Sequence, residues 1–553
     1  MSFVVVAKFP CKPGQVEAMG DLFRAALSDT REFAGCERID VVLNEASGTY
    51  LLVEYWDQES SYDTYLKWRT DTGIAEVLAP LIEGGWDGIL ESVYRLGIMQ
   101  DISLKQSFTP KSKEVPHMIN QPLTLPCGAE IPNRLCKAAM TEGLASPAGE
   151  PTAALNQLYG LWSDGGAGLL LSGNVQIDGD HLERPGNVIV EGEPSATMQA
   201  TLEAWAAAGT RGGNHFWAQI SHAGRQCQKI VNPHPKAPSA IKLGLPGGQF
   251  GEPDPMTEED IEGVIAGFAR CAKVLVNAGF TGVQLHAAHG YLLSQFLSPR
   301  SNQREDHWGG PLENRARLLL SCVARVRAAV GPAVPVSVKL NSADFQRGGF
   351  DFNESLQVAQ WLEQASVDLI EISGGTYEQP RLLNLEGMEP VEEQSVAAST
   401  RAREAYFVDF TEAMRKEINI PLMVTGGLRR LDAMNAALET GCADMIGIGR
   451  PMCVVTDAPA QLLRGTAELP RFESTLSLLP RALRFLNGIK LVRTVGAFAT
   501  QYWFYEQIAA LGHSGTTQVD MGVMAATKAQ TKAANLWLEQ RKALINRESD
   551  QAA

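Results

Sequence analysis

The stretch GVQLHAAHGYLLSQFLSPRSN, residues 282–302, decides how this chain is read. Gly282–His286 is an apolar run of strand length. Where it ends, two imidazoles stand three residues apart, and Leu292 onward can continue as a helix. A strand, a polar strand end and a helix make one βα unit. Working outward, the same grammar repeats at Leu135–Ala139, Leu169–Gly173, Phe216–Ile220, Val336–Leu340, Leu369–Ser373, Leu422–Thr425 and Met445–Ile448, with helical stretches such as Glu258–Ala278 and Glu313–Val330 between them. Eight such units within residues 119–455 predict a (β/α)8 TIM barrel with insertions. A doubly wound sheet is the competing reading, and no G-x-G-x-x-G lies between a strand and a helix to support it.

The flanks differ from the barrel. Residues 1–100 alternate as βαββαβ, the ferredoxin-like α+β order, with strands at Val4–Phe9, Arg38–Leu43, Tyr50–Tyr55 and Ile89–Tyr94 and helices near Gly14–Arg31 and Ser60–Thr70. Residues 101–118 are polar with two Pro and read as a linker. Residues 456–553 read as a polar helical extension with an unstructured end at Asn546–Ala553 and no assigned chemistry.

A net charge of −15 repels nucleic acid and anionic membrane, which removes both as partners. No apolar stretch is long enough to span a bilayer. Nine scattered Cys without C-x-x-C spacing suit free thiols in a reducing cytoplasm.

In such a barrel, chemistry sits at the C-terminal strand ends. His286 and His289 can converge on one oxygen and stabilise charge developing there, and Tyr291 beside them is a candidate proton donor. A zinc site would need a third ligand, and the pair lacks the Glu of H-E-x-x-H. A backbone-satisfied structural pair is the other reading. Gly426-Gly427 and Gly449-Arg450 close adjacent strands, where glycine lets backbone N–H groups approach a phosphate and Arg450 adds charge-assisted bonds; a plain tight turn is the alternative. Lys339, in an apolar strand, requires an anion, either a reduced flavin ring or Glu371 on the next strand. Gln219 can offer its amide to a pyrimidine-like edge or to a core hydrogen bond.

Taken together, HAAHGYLLSQFLSPRSN (286–302), WGGPLENR (308–315), QISHAGR (219–225) and GIGRP (447–451) resemble the Old Yellow Enzyme family of FMN-dependent NAD(P)H oxidoreductases. The resemblance implies a ping-pong ene-reductase using FMN and NAD(P)H on a small enone or quinone. It implies that Ala138, Ala139 and Met140 lie along the flavin, that Thr141 and Asn174 sit near its O4 edge, and that Gln219 and Lys339 hold the pyrimidine side. Gly426, Gly427, Gly449 and Arg450 would hold the phosphate, His286 and His289 the substrate carbonyl, and Tyr291 would deliver the proton. One departure stands out: Glu142-Gly-Leu follows Thr141, in the region where the family places an aromatic that covers the substrate. No Cys follows Cys453, so the iron–sulfur cluster of the larger dienoyl-CoA reductases is not expected.

FVVVAKFPCKPGQVEAM and YLLVEYWDQES resemble the antibiotic biosynthesis monooxygenase-like family. Such domains pair through their sheets, which implies a homo-oligomer, and some are cofactor-free oxygenases on polycyclic phenols. The alternative for the whole chain is therefore a two-domain reductase/monooxygenase acting on quinones or polycyclic aromatics, its N-terminal domain either catalytic or serving oligomerisation.

Overall fold

In the first strand, β1 (Phe3–Pro10), buried Phe3, Val5, Ala7 and Phe9 alternate with more exposed neighbours, so one face is apolar. It pairs antiparallel with β3 (Thr49–Trp56) and with β4 (Tyr94–Ile98), and β3 pairs with β2 (Cys36–Asn44), giving the order β2-β3-β1-β4. Helices α1 (Val16–Glu32), α2 (Glu59–Asp71), α3 (Ile74–Leu78) and α4 (Gly85–Glu91) complete this α+β domain. Met19, Phe23 and Leu27 of α1 lie on one helical stripe and share a core with Phe9, Leu52 and Ile89. The strand expected at Ile89–Tyr94 is corrected: Ile89 belongs to α4, whose start is set by Gly84 and Gly85 at positive φ, and the strand begins at Tyr94.

The computed structural model describes residues 3–44, 47–98, 118–245, 248–376, 378, 410–479 and 490–552. The expected linker at 101–118 falls outside these except for Met118. The chain divides into two compact units, Met1–Lys113 and Glu114–Ala553.

The second unit is a closed parallel barrel. Its strands are β5 (Leu135–Lys137), β6 (Leu169–Gln176), β7 (His215–Ser221), β8 (Gly282–Ala287), β9 (Val336–Asn341), β10 (Leu369–Ser373), β11 (Leu422–Thr425) and β12 (Met445–Ile448). Each pairs with the next, and β12 returns to β5. Helices such as α5 (Ala153–Asp164), α6 (Ala196–Thr210), α7 (Glu258–Asn277), α8 (Leu312–Val330), α9 (Phe352–Gln364) and α10 (Leu431–Glu439) cover them. Nearly every strand residue is buried, because both faces are covered; this is why the strands read as unbroken apolar runs rather than alternations. Local signals agree: Thr257 and Asp260 form a reciprocal capping box that starts α7. Phe268 of that helix is fully buried, and Phe268→Ala would cost about 3–5 kcal/mol.

Two further helices, α11 (Lys490–Ser514) and α12 (Val523–Ala552), belong to the same unit. Trp503, Phe504, Ile508, Leu511, Val523 and Ala526 join the barrel's hydrophobic core. Trp537 Nε1 donates to Ala145 O at 2.9 Å, and Arg541 Nη1 to Pro147 O at 2.9 Å. The unstructured end expected at Asn546–Ala553 is corrected, since α12 continues through it to Ala552. Among the described residues, no helix is long and apolar enough to cross a membrane.

Candidate active site

The strand register sets the site. Asn174 on β6 stands opposite Gln219 on β7, Gln219 opposite Gln284 on β8, His286 opposite Lys339 on β9, and Lys339 opposite Glu371 on β10. Their side chains meet inside the barrel. Gln219 Nε2 donates to Gln284 Oε1 at 2.7 Å, Gln284 Nε2 donates to Glu371 Oε2 at 3.0 Å, and Lys339 Nζ lies 2.9 Å from Glu371 Oε1. The carboxylate foreseen for Lys339 is thus present. It does not withdraw Lys339 from the cavity, which Lys339 and Gln219 both line.

That cavity, of about 250 Å³, is lined by Ala138, Ala139, Met140, Thr141, Asn174, Gln219, His286, His289, Tyr291, Lys339, Gly426, Gly427, Gly449 and Arg450. Every residue nominated from the sequence is therefore on its wall. So are Glu183, Thr425, Arg429, Cys453, Gln501, Phe504, Tyr505 and Ile508, which the sequence reading did not nominate.

The two imidazoles bond to each other. His286 Nε2 lies 3.2 Å from His289 Nδ1, His286 Nδ1 lies 2.8 Å from Asn174 Oδ1, and His289 Nε2 lies 2.6 Å from Ser373 Oγ. The network assigns the protons. Asn174 Oδ1 can only accept, so His286 carries its proton on Nδ1 and accepts at Nε2 from His289 Nδ1–H. His289 Nε2 then accepts the Ser373 hydroxyl. Burial holds both rings well below the usual histidine range, with His289 and the Lys339 charge adding to the effect at His286 and Lys339 at His289, so both are neutral at pH 7. His289 has φ +60°, rare for a residue with a side chain, and its N–H donates to Asn341 Oδ1 at 3.1 Å. A strained backbone held by a buried amide fixes where the second imidazole points. The Tyr291 ring is 4.6 Å from that of His286.

Thr141 and Asn174 turn toward a carboxylate absent from the sequence reading. Thr141 Oγ1 donates to Glu183 Oε2 at 2.7 Å, and Asn174 Nδ2 approaches the same oxygen at 3.4 Å. The Thr141 hydroxyl proton is thereby committed, leaving lone pairs toward the cavity. Glu142, in the region where the resemblance implies a covering aromatic, instead turns inward and is buried, accepting from the Gly173 N–H at 2.8 Å and from the Tyr159 hydroxyl.

At the other end, Gly426 (φ +115°) and Gly427 (φ +78°) follow β11 in a conformation that side chains disfavour. Arg429 and Arg450 both reach Glu473 Oε1, each at 3.3 Å. Arg429 is buried, yet among the described residues its Nε has no hydrogen-bond partner, and neither has the buried Thr425 Oγ1. Two guanidiniums around one carboxylate with donors to spare form an anion site, and the donor set fits the phosphate of a flavin mononucleotide.

A second imidazole pair, His181 and His222, gathers around Asp178, the one trio of candidate metal ligands among the described residues. Its chemistry opposes a metal. His181 Nε2 accepts the Lys236 N–H at 2.9 Å and His222 Nδ1 accepts the Gly224 N–H at 3.0 Å. Each neutral ring must then direct its own N–H at Asp178, 2.9 and 3.2 Å away, and has no lone pair left for an ion. This cluster braces the loops after β6 and β7.

Comparison with known proteins gives the lineage. Residues 119–467 match the NADH:flavin oxidoreductase / NADH oxidase family, and residues 2–69 match the antibiotic biosynthesis monooxygenase family. The NADH-dependent flavin oxidoreductase iliE of Hypocrea jecorina is 36% identical over 351 residues, covering 60% of this chain and 86% of the relative. Its namesake from Neonectria sp. is 36% identical over 350 residues, and the chain spans only 45% of that longer protein. Among solved structures, the old yellow enzyme homologue from Zymomonas mobilis superposes with a TM-score of 0.53 at 24% identity, over 66% of this chain and 97% of that one, a likeness of fold. By its family match and its barrel, this chain belongs to the NADH:flavin oxidoreductase / NADH oxidase family, of the Old Yellow Enzyme type, with an antibiotic biosynthesis monooxygenase domain at its N-terminus.

Proposed function

We propose that the chain is an FMN-dependent NAD(P)H oxidoreductase that reduces the carbon–carbon double bond of α,β-unsaturated carbonyl compounds. One observation carries this reading: the residues suited to a flavin and those suited to a substrate oxygen line the same cavity. Bound FMN would supply hydride chemistry, accepting from NAD(P)H and giving to the alkene in turn. Gln219 and Lys339 would hold its pyrimidine side, the backbone of Ala138, Ala139 and Met140 its ring, and Gly426, Gly427, Gly449, Arg429 and Arg450 its phosphate.

The chain's own residues handle the substrate oxygen and the proton. An incoming carbonyl takes the hydrogen bond that His289 Nδ1–H now gives to His286. His286 becomes a second donor when Asn174 turns its amide over and the ring proton moves to Nε2. Neutral imidazoles polarise the oxygen and stabilise charge building there without surrendering a proton. The Tyr291 phenol, packed against His286, protonates the α-carbon.

The test is spectroscopic. Purified protein should show flavin absorbance that bleaches with NADPH under argon and returns on adding 2-cyclohexenone. A colourless protein that cannot be reconstituted with FMN sinks the reading. His286→Ala should lower enone turnover about 10²-fold while bound flavin stays constant; unchanged turnover removes the imidazole pair from the reaction.

A further inference from the structure

The barrel cavity has a wall that no strand end provides. Gln501, Phe504, Tyr505 and Ile508 of α11 stand at i, i+3, i+4 and i+7, so one helical stripe faces the cavity. These residues lie beyond residue 467, where the family match ends. We propose that this stripe is the specificity wall of the active site and that it selects flat, fused-ring conjugated ketones and quinones carrying a second polar group over small aliphatic enones. The proposal rests on the flavin reading above and names the substrate class of that same cavity.

Three observations support it. The wall supplies two aromatic faces and one amide, a composition that fits a conjugated ring system with an oxygen for Gln501 to bind. The wall is also stiff. The Arg184 guanidinium stacks on Tyr505 at 4.0 Å, its Nη2 donates to Gln530 Oε1 on α12 at 2.8 Å, and Gln530 Nε2 donates to Glu506 Oε2 at 2.7 Å. Both C-terminal helices therefore hold the Tyr505 ring in place, and a ring fixed before binding loses little freedom when a flat partner stacks on it. Finally, the place after Thr141 that could have carried a covering aromatic is taken by inward-facing Glu142, so beyond Tyr291 of the catalytic cluster the aromatic side chains on this cavity wall come from α11. The reaction keeps its balance: NAD(P)H gives one hydride, solvent gives one proton through the protein, and the substrate gains both.

The experiment compares anaerobic kcat and KM for 2-methyl-1,4-naphthoquinone and 2-cyclohexenone, with bound FMN per chain measured in the same samples. Wild type should favour the naphthoquinone. Tyr505→Ala and Phe504→Ala should depress its kcat/KM roughly tenfold more than that of cyclohexenone, chiefly through KM, with FMN content retained. Tyr505→Leu and Phe504→Leu keep apolar bulk without a ring face, and should lose the same selectivity even where the alanine variants fold poorly. An equal fall for both substrates, leucine variants that keep the wild-type ratio, or variants that shed FMN would each overturn the proposal. A wild-type protein that holds no FMN, or that oxidises NADPH with neither acceptor, defeats the flavin reading instead.

Discussion

Each compact unit of this chain encloses a cavity, and the two are built on opposite principles. The barrel cavity, about 250 Å³, gathers cations, amides and imidazoles from six different strands and the segments that follow them, with most polar atoms held by a neighbour. The N-terminal cavity, about 50 Å³, is walled by Phe9, Phe23, Leu52, Tyr62, Tyr65 and their neighbours around one buried carboxyl, Glu54. Its cation, Arg69, spends donors on Tyr65, Ala26 and Thr30, and Glu54 receives the Trp56 Nε1–H at 3.2 Å. The contrast teaches where chemistry was built in. One unit positions many polar and charged groups around an open space, and the other sets one carboxyl and one guanidinium in a largely apolar wall.

The sharpest way to break that contrast is to strip the cations from the barrel cavity. Replacing Arg429 and Arg450 by Ala removes both guanidiniums that meet at Glu473 and the counter-charge they give its carboxylate. Charge-assisted bonds to phosphate are worth about 1.5–3 kcal/mol each, so FMN retention should weaken at least 100-fold, read by flavin release on gel filtration. Tight flavin in the double variant would place the phosphate elsewhere.

The second test removes the other member of the comparison. Residues 114–553 form their own compact unit and should bind flavin and turn over enones within about twofold of the full chain. If the N-terminal domain carries oxygenase chemistry on quinones or polycyclic aromatics, the truncated protein gives a different product profile. If it serves oligomerisation, only the hydrodynamic size changes.

Much of this was legible in the sequence, and the reason is geometric. A barrel strand buried on both faces must be an apolar run, so all eight strands stood out, and a polar residue that interrupts such a run must face the barrel interior or its mouth. Hence Gln219, Lys339 and the His pair could be placed without coordinates. What stayed hidden was long-range. Arg429 lies two residues past Gly427 and a basic residue there was a usable hint, but Glu183 sits in the loop after β6 with no motif around it. The stripe Gln501, Phe504, Tyr505 and Ile508 announces a buried helical face, and nothing in its spacing says which cavity it covers. Only the docking of α11 and α12 on the barrel supplies that.

The last test separates the two cavities by pH. Burial pushes the Glu54 carboxyl up to about 7, against the opposing pull of the Trp56 hydrogen bond and the Arg69 charge. Below about pH 4.5 the folded and unfolded chains both hold this proton, and Glu54 carries no penalty. As pH rises toward 7 the unfolded chain releases the proton while the folded domain keeps it, so stability falls, by up to about 3 kcal/mol, and levels off once the folded group has also ionised. Glu54→Gln removes the titration and should flatten this stretch of the pH profile of thermal unfolding, with enone turnover in the barrel within about twofold of wild type. A variant whose stability keeps the wild-type slope between pH 4.5 and 7 would show that Glu54 is ionised throughout, and the N-terminal cavity would then have to hold a charge as readily as the barrel does.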